Sequence, residues 1–173
     1  GASPLLVNCA LESNVSTNGG GLLSYLGAAP VLRRCTIEGN TKAGIYVEQA
    51  SLTATDCMIR GNSSLDYGGG VKTYLAIVTM TRCRIEGNTS NENGGGISHG
   101  GSSGSEMTLV DCTLAGNCSY GNGGGVTCQA PLLTVSGCTF VENLAYGDGG
   151  GIWIYSPNSI TLEPNPILVD YPE

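Results

Sequence analysis

Few residues in this 173-residue chain have side chains suited to catalysis, and they are widely spread. The aspartates are Asp56, Asp66, Asp111, Asp148 and Asp170, and no two are neighbours in sequence. Asp56, Arg82 and Asp111 each stand directly before a cysteine. Two carboxylates on one face would suit general acid and base work on a glycoside, but an Arg between them reads equally well as an Asp–Arg–Asp ion stack. His99 is the only histidine and has no evident carboxylate partner, so it reads as a solvated or core residue. There is no Ser/His/Asp set and no zinc-type spacing. We therefore expect no catalytic residue, no metal and no cofactor.

The eight cysteines carry a stronger signal. Cys9, Cys35, Cys57, Cys83, Cys112 and Cys138 each sit five residues before an asparagine: Asn14, Asn40, Asn62, Asn88, Asn117 and Asn143. The cysteines are 26, 22, 26, 29 and 26 residues apart. A degenerate seventh copy runs from Asn165 to Asp170. Three glycines before an aliphatic residue recur at 19–22, 68–71, 94–97, 123–126 and 149–152, with a shortened form at Gly44-Ile45. A repeat of this length is one supersecondary unit that buries its apolar face only by stacking on copies of itself.

Between these signatures the pattern has period two. Leu52 and Ala54 alternate with Thr53 and Thr55, and the same holds for Val78–Thr81 and Leu133–Ser136. Short alternating runs are strands. Three per repeat are expected: one after the glycines, one before the cysteine and one after it. The expected fold is all-β, a single-domain right-handed parallel β-helix of about seven coils spanning residues 1–173. Its hand follows the strong bias of parallel crossovers, and coils stack at about 4.8 Å.

Stacking turns each repeat position into a column. The residue two after each cysteine (Leu11, Ile37, Ile59, Ile85, Leu114, Phe140 and Ile167) should point inward. The cysteine column should also point inward as small buried hydrophobes. The six asparagines should form a ladder, since an amide both donates and accepts. Asn14, Asn62, Asn88 and Asn117 begin N-x-Ser sequons, but a ladder residue would be inaccessible to glycosylation. Cys118 and Cys128 fall off the cysteine column and are a candidate disulfide, with eight cysteines suggesting an oxidising compartment. Outward, Thr53, Thr79, Thr108, Thr134 and Thr161 form one rank, and Glu12, Glu38, Arg60 and Glu86 another, in which Arg60 bridges glutamates. Asp56 and Asp111 would lie two coils apart, roughly 10 Å. Tyr46, Tyr74, Trp153 and Tyr155, with Tyr25 nearby, should face outward on the strand after the glycines. Such rings either stack on sugars or pack on one another across coils.

The Gly-Gly-Gly-aliphatic and aliphatic-x-x-Asn alternation resembles the repeats of polymorphic outer-membrane proteins, from about Leu5 to Asp170. Those repeats read Gly-Gly-Ala-Ile/Leu/Val and Phe-x-x-Asn; here Gly replaces the Ala, and Phe140 alone matches the aromatic. The resemblance implies a right-handed β-helix surface adhesin. The same fold carries pectate lyases, polygalacturonases and tailspike depolymerases, which would imply carboxylate clusters that this chain does not group in sequence. The Thr ranks resemble insect ice-binding solenoids, although only two coils have the full Thr-x-Thr.

A net charge of −7 excludes a phosphate backbone as partner, because that needs a basic footprint. No apolar run approaches membrane-spanning length, and the glycine triplets lack the Lys-Ser/Thr of a phosphate loop. The expected function is that of a non-catalytic extracellular or cell-surface solenoid, an adhesin or structural element with a glycan or host-surface ligand. The edge strand at Leu5–Val7 favours head-to-tail self-association into filaments, whereas Pro164, Pro166 and Pro172 could cap the other end; a capped monomer and a segment of a longer solenoid are the competing readings. The alternatives are a carbohydrate-active lyase or hydrolase and an ice-binding solenoid.

Overall fold

A computed structural model of the chain describes residues 2–155, 159–163 and 167–169. Its strands are two to five residues long and wind into parallel sheets in which every neighbour is one repeat away in sequence. The first sheet follows the glycines: Leu22–Tyr25, Ile45–Glu48, Val71–Tyr74, Ile97–Gly100, Val126–Cys128 and Ile152–Ile154. The second precedes the cysteines: Leu5–Val7, Val31–Arg33, Ser51–Thr55, Ile77–Thr81, Glu106–Val110, Leu132–Ser136 and Ser159–Glu163. The third follows them: Ala10–Glu12, Thr36–Glu38, Met58–Arg60, Arg84–Glu86, Thr113–Ala115, Thr139–Val141 and Ile167–Val169. A fourth sheet of two-residue strands, Ser63–Ser64, Thr89–Ser90, Cys118–Ser119 and Leu144–Ala145, is additional to the three expected per coil.

Strands stack in register, so like sits on like. Thr53, Thr79, Thr108, Thr134 and Thr161 are successive partners, as are Ile37, Ile59, Ile85, Leu114 and Phe140. The third-sheet file is inward and fully buried from Ile37 to Phe140. Ile45, Val71, Ile97 and Val126 close the core from the first sheet, and Leu52, Val78, Met107 and Leu133 from the second. Each such side chain contributes about 1.5–3 kcal/mol through burial. In the first turn Leu6, Cys9, Leu11 and Leu22 are only partly buried, because their strands stand at the edges of their sheets among the described residues.

Two expectations need correction. Seven strands in a sheet enclose about six turns, not seven coils. In the last coil Phe140 pairs with Leu168, not Ile167, because the degenerate copy is set one residue later in register. Asn165, Asp170 and the prolines at 164, 166 and 172 lie outside the described residues.

The corners explain other recurrent residues. Asn8, Arg34, Asp56, Arg82 and Asp111, each directly before a cysteine, have φ between 50 and 54°. The shared aspartates at 56 and 111 thus stand at a left-handed turn position, which Asn and Asp tolerate better than most side chains. The glycine triplets answer to space. A Cβ on Gly95 would lie 2.5 Å from the backbone of Cys118, and one on Gly69 would lie 2.4 Å from the Thr89 carbonyl oxygen. Backbone cannot swing aside, so these turns close only on glycine.

The asparagines form a continuous amide ladder. Asn88 Nδ2 donates to Asn117 Oδ1 and to the Ile59 carbonyl, both at 3.0 Å. Its Oδ1 accepts from the Asn62 backbone N–H and from Asn62 Nδ2, also at 3.0 Å. The same links join Asn14 to Asn40, Asn40 to Asn62 and Asn117 to Asn143. Asn40, Asn62, Asn88 and Asn117 are buried, so all four bonds of each amide are made within the protein. Only Asn14, in the first turn, is exposed among the sequon asparagines. A second, shorter ladder runs along the next corner. The Asn122 N–H donates to Asn93 Oδ1 and the Asp148 N–H to Asn122 Oδ1, both at 2.7 Å.

Asn88→Ala should destabilise the fold by about 3 kcal/mol, since it strands the Asn62 donors and the Ile59 carbonyl in the interior. Glu86→Ala removes only a surface pair with Arg84 (2.8 Å) and should cost less than about 1 kcal/mol. Chemical denaturation of the two variants measures the difference. Equal midpoints would contradict a buried ladder.

Candidate functional site

The outer face of the first sheet carries two ranks of side chains. One runs Leu23, Tyr46, Lys72, Ser98, Thr127 and Trp153. The other runs Tyr25, Glu48, Tyr74 and Gly100. Gln129 and Tyr155 continue it, their N–H groups donating to the His99 carbonyl (2.8 Å) and the Cys128 carbonyl (3.0 Å). In the turn after Lys72 and Tyr74 both ranks hold small residues, Ser98 and Gly100, and the next turn holds Thr127 and Gln129. The wall there sinks into a hollow of about 400 Å³, bordered by Tyr46, Glu48, Tyr67, Lys72, Tyr74 and Gln129. A second hollow of about 390 Å³ shares Tyr74, Gly101 and Gln129 and adds Ser102 and Tyr155. The two form a groove along the solenoid axis.

Of the four aromatics singled out from sequence, Tyr46, Tyr74 and Trp153 lie on this sheet and Tyr155 directly follows its last strand, but they do not fall in one line. Tyr46 and Tyr74 line the first hollow, and Tyr74 and Tyr155 the second. Trp153 packs against Tyr155, with ring centroids 5.8 Å apart and planes tilted by 34°. The polar residues of the groove were not anticipated. Lys72 and Glu48 are each two residues from a named tyrosine and so share its face, a parity signal legible in the sequence. Tyr67 is not on the sheet; it enters from the corner before Gly68. A further exposed aromatic pair, Tyr120 and Tyr146, stacks at 5.1 Å with planes 7° apart beyond the fourth sheet.

Charge and hydrogen bonding organise the groove. Lys72 Nζ sits 5.0 Å from the Tyr46 ring centroid and 5.9 Å from that of Tyr67, a cation over two π faces. The Tyr46 hydroxyl donates to Glu48 Oε2 at 2.7 Å. Burial first, and then that bond, hold the Tyr46 phenol well above the usual range. The result is an aromatic slot with one cation, one oriented carboxylate and the amide of Gln129.

The other chemistry-bearing residues are held apart from this groove. Arg82 grips Asp56 through two hydrogen bonds of 2.7 and 3.1 Å, an exposed pair that lowers the Asp56 pKa. Asp111, the next residue of the Asp–Arg–Asp rank, acts on Arg82 through charge rather than through a hydrogen bond. Likewise Arg60 binds Glu38 alone (2.8 Å), because Glu86 is engaged by Arg84 of its own strand. His99 is fully buried on the inner face of the first sheet, between Thr73 and Cys128 in register. Its Nδ1 lies 2.6 Å from Thr73 Oγ1, and Nε2 has no partner in good hydrogen-bonding geometry. Burial pushes its pKa down to about 4, with the Leu132 backbone opposing. Among the described residues, no group of three or more His, Cys, Asp or Glu side chains is placed to hold a metal ion, and no helix is long and apolar enough to cross a membrane.

The cysteines form a column of thiols, buried from Cys35 to Cys138 and half-buried at Cys9. In each of the six turns Sγ donates to the carbonyl two residues earlier, at 3.3–3.5 Å. Hydrogen bonding to Cys112, reinforced by burial, raises the Cys83 and Cys138 thiols. No disulfide joins Cys118 and Cys128. Cys128 faces the core from the first sheet opposite His99, whereas Cys118 belongs to the fourth sheet, between Thr89 and Leu144. The glycine triplet 123–125 separates them.

The glycine-punctuated coil pattern matches, over residues 2–167, the family described as right-handed β-helix region. The chain belongs to that family. No curated protein and no solved structure matches this β-helix.

Two outcomes follow. Brief alkylation of the native β-helix should modify Cys9 and Cys118 alone, read by peptide mass spectrometry. Labelling of Cys57, Cys83 or Cys112 without unfolding would contradict the sealed column. His99, neutral when folded, takes up a proton near pH 6.5 only on unfolding. Stability should therefore be intact above that pH and fall by roughly 3 kcal/mol as the pH drops toward 4. His99→Val, which copies Val47 of the same file, should lose less over that window in urea titrations at pH 7 and pH 4; equal losses would contradict the buried neutral imidazole.

Proposed function

We propose that this β-helix is a non-catalytic glycan-binding solenoid of adhesin type, acting outside the cell or at its surface. The observation that carries the reading is the groove on the first sheet. Ser98 and Gly100 open a hollow between rings, and Lys72, Glu48 and Gln129 set polar groups around it. Aromatic faces with a few convergent polar groups suit a pyranose, which has apolar faces and a rim of hydroxyls. Tyr74 and Tyr155 stand three turns apart in the same rank, about 14 Å, a span fitted to a short oligosaccharide rather than a single sugar.

The repeat's resemblance to polymorphic outer-membrane proteins supports the adhesin reading and the surface location. A non-catalytic role is supported by the engagement of the candidate catalytic groups elsewhere. Asp56 is held by Arg82, and His99 is sealed in the core. Glu48 is the carboxylate in the groove wall, and it serves as acceptor to Tyr46.

Screening the purified chain on a glycan array, with Tyr74→Ala alongside, tests the proposal. Tyr74 is half-exposed, so its truncation should leave the melting temperature unchanged and weaken binding about tenfold, or about 1.4 kcal/mol. No new reducing ends should form from bound glycans. Absence of glycan binding, or equal binding by Tyr74→Ala, would contradict the site; release of reducing ends would contradict the non-catalytic reading.

A further inference from the structure

We propose that the groove selects acidic glycans, with the carboxylate of a uronate or sialate unit resting on Lys72; this rests on the glycan-binding reading above. Like Arg33 and Arg34, and unlike Arg60, Arg82 and Arg84, Lys72 forms no ion pair with a carboxylate among the described residues. Arg60, Arg82 and Arg84 each hold a carboxylate at 2.7–2.8 Å. Among the described residues no carboxylate lies within 4.0 Å of Lys72 Nζ. Its ammonium is instead held above the rings of Tyr46 and Tyr67, at the mouth of a hollow. A cation fixed by aromatics and lacking a counter-ion is an anion site waiting for its charge.

The neighbouring Glu48 keeps its charge but forms no ion pair with Lys72; its Oε2 accepts from the Tyr46 hydroxyl of its own strand. Its remaining lone pairs can accept from a ligand. Sugar hydroxyls are donors, and a uronate or sialate carries a carboxylate and hydroxyls on one ring. That combination matches a lysine and a glutamate on adjacent strands, with Tyr74 as the stacking wall and Gln129 able to donate and accept.

The overall charge narrows the class further. A chain of net charge −7 repels dense polyanions. One lysine suits an isolated carboxylate and not a heavily sulfated polymer. An acidic peptide would satisfy Lys72 but would leave the aromatic rank without a ring to stack on.

The test uses matched glycan pairs: oligogalacturonate, a glucuronate-containing oligosaccharide and sialyllactose, each against its carboxyl-reduced counterpart, with oligoglutamate as the peptide probe. Calorimetry on the wild-type chain, Lys72→Met and Tyr74→Ala reads affinity, and circular dichroism checks the fold. Wild type should bind at least one acidic member tenfold or more tightly than its reduced partner, and the preference should shrink as salt rises. Lys72→Met should erase the preference, so that acidic and reduced members bind with equal affinity. The acidic pair that responds separates uronate from sialate. Equal affinity for acidic and reduced members, with Tyr74→Ala weakening both, overturns the selectivity and leaves the groove standing. Binding of no glycan overturns both, and oligoglutamate binding as tightly as any glycan overturns the sugar assignment.

Discussion

Each strand lies one hydrogen-bonded spacing, about 4.8 Å, from its equivalent in the next turn, and the rest of the molecule answers to that distance. A side chain must tolerate a copy of itself directly above and below. Asparagine meets the demand because its amide donates upward and accepts from below while keeping a donor for the backbone. The run from Asn14 to Asn143 is thereby linked into one continuous column. Cysteine meets it as a small inward group whose proton goes to a nearby carbonyl. Glycine meets it where two turns approach so closely that no Cβ fits, as at Gly69 and Gly95.

The same distance makes like charges costly in a rank. The surface therefore interrupts its acidic files with arginine: Arg60 beside Glu38, and Arg82 beside Asp56. It also turns a local change of residue size into a feature of the surface. Two successive turns without aromatic or charged side chains on these ranks, the first holding only Ser98 and Gly100, open the groove, because the scaffold keeps Lys72, Tyr74 and Gln129 at fixed height around it. Site and scaffold are thus one device, with the ladder setting the heights.

The fold was legible because its signals repeat. Cysteine-to-asparagine spacing recurs in six turns, and glycine triplets and alternating strand runs recur in most of them. The strands of the fourth sheet escaped notice because two residues, such as Thr89–Ser90, carry no period. The final coil was read one residue early because it lacks the cysteine that fixes phase in the others. Cys118 and Cys128 looked like a pair because both fall off the cysteine column, but a triplet of glycines turns the chain between them onto different sheets. Of the groove, the tyrosines at 46, 74 and 155 were readable as outward. Lys72 and Glu48 were readable in principle by the same parity. Tyr67 was not, since its approach depends on how the corner folds. The Asn93–Asn122–Asp148 ladder was hidden for the same reason, although each member immediately precedes a glycine triplet.

The groove is the central functional claim, and it makes a statement about location. Backbone amide NMR of the chain, followed during titration with its tightest-binding carboxylate-bearing oligosaccharide, reads that location directly. The account predicts shifts concentrated at Lys72, Tyr74, Ser98, Gly100, Gly101 and Gln129, with the threonine file from Thr53 to Thr134 on the second sheet unmoved. Shifts centred on that threonine file, with the groove silent, would contradict it.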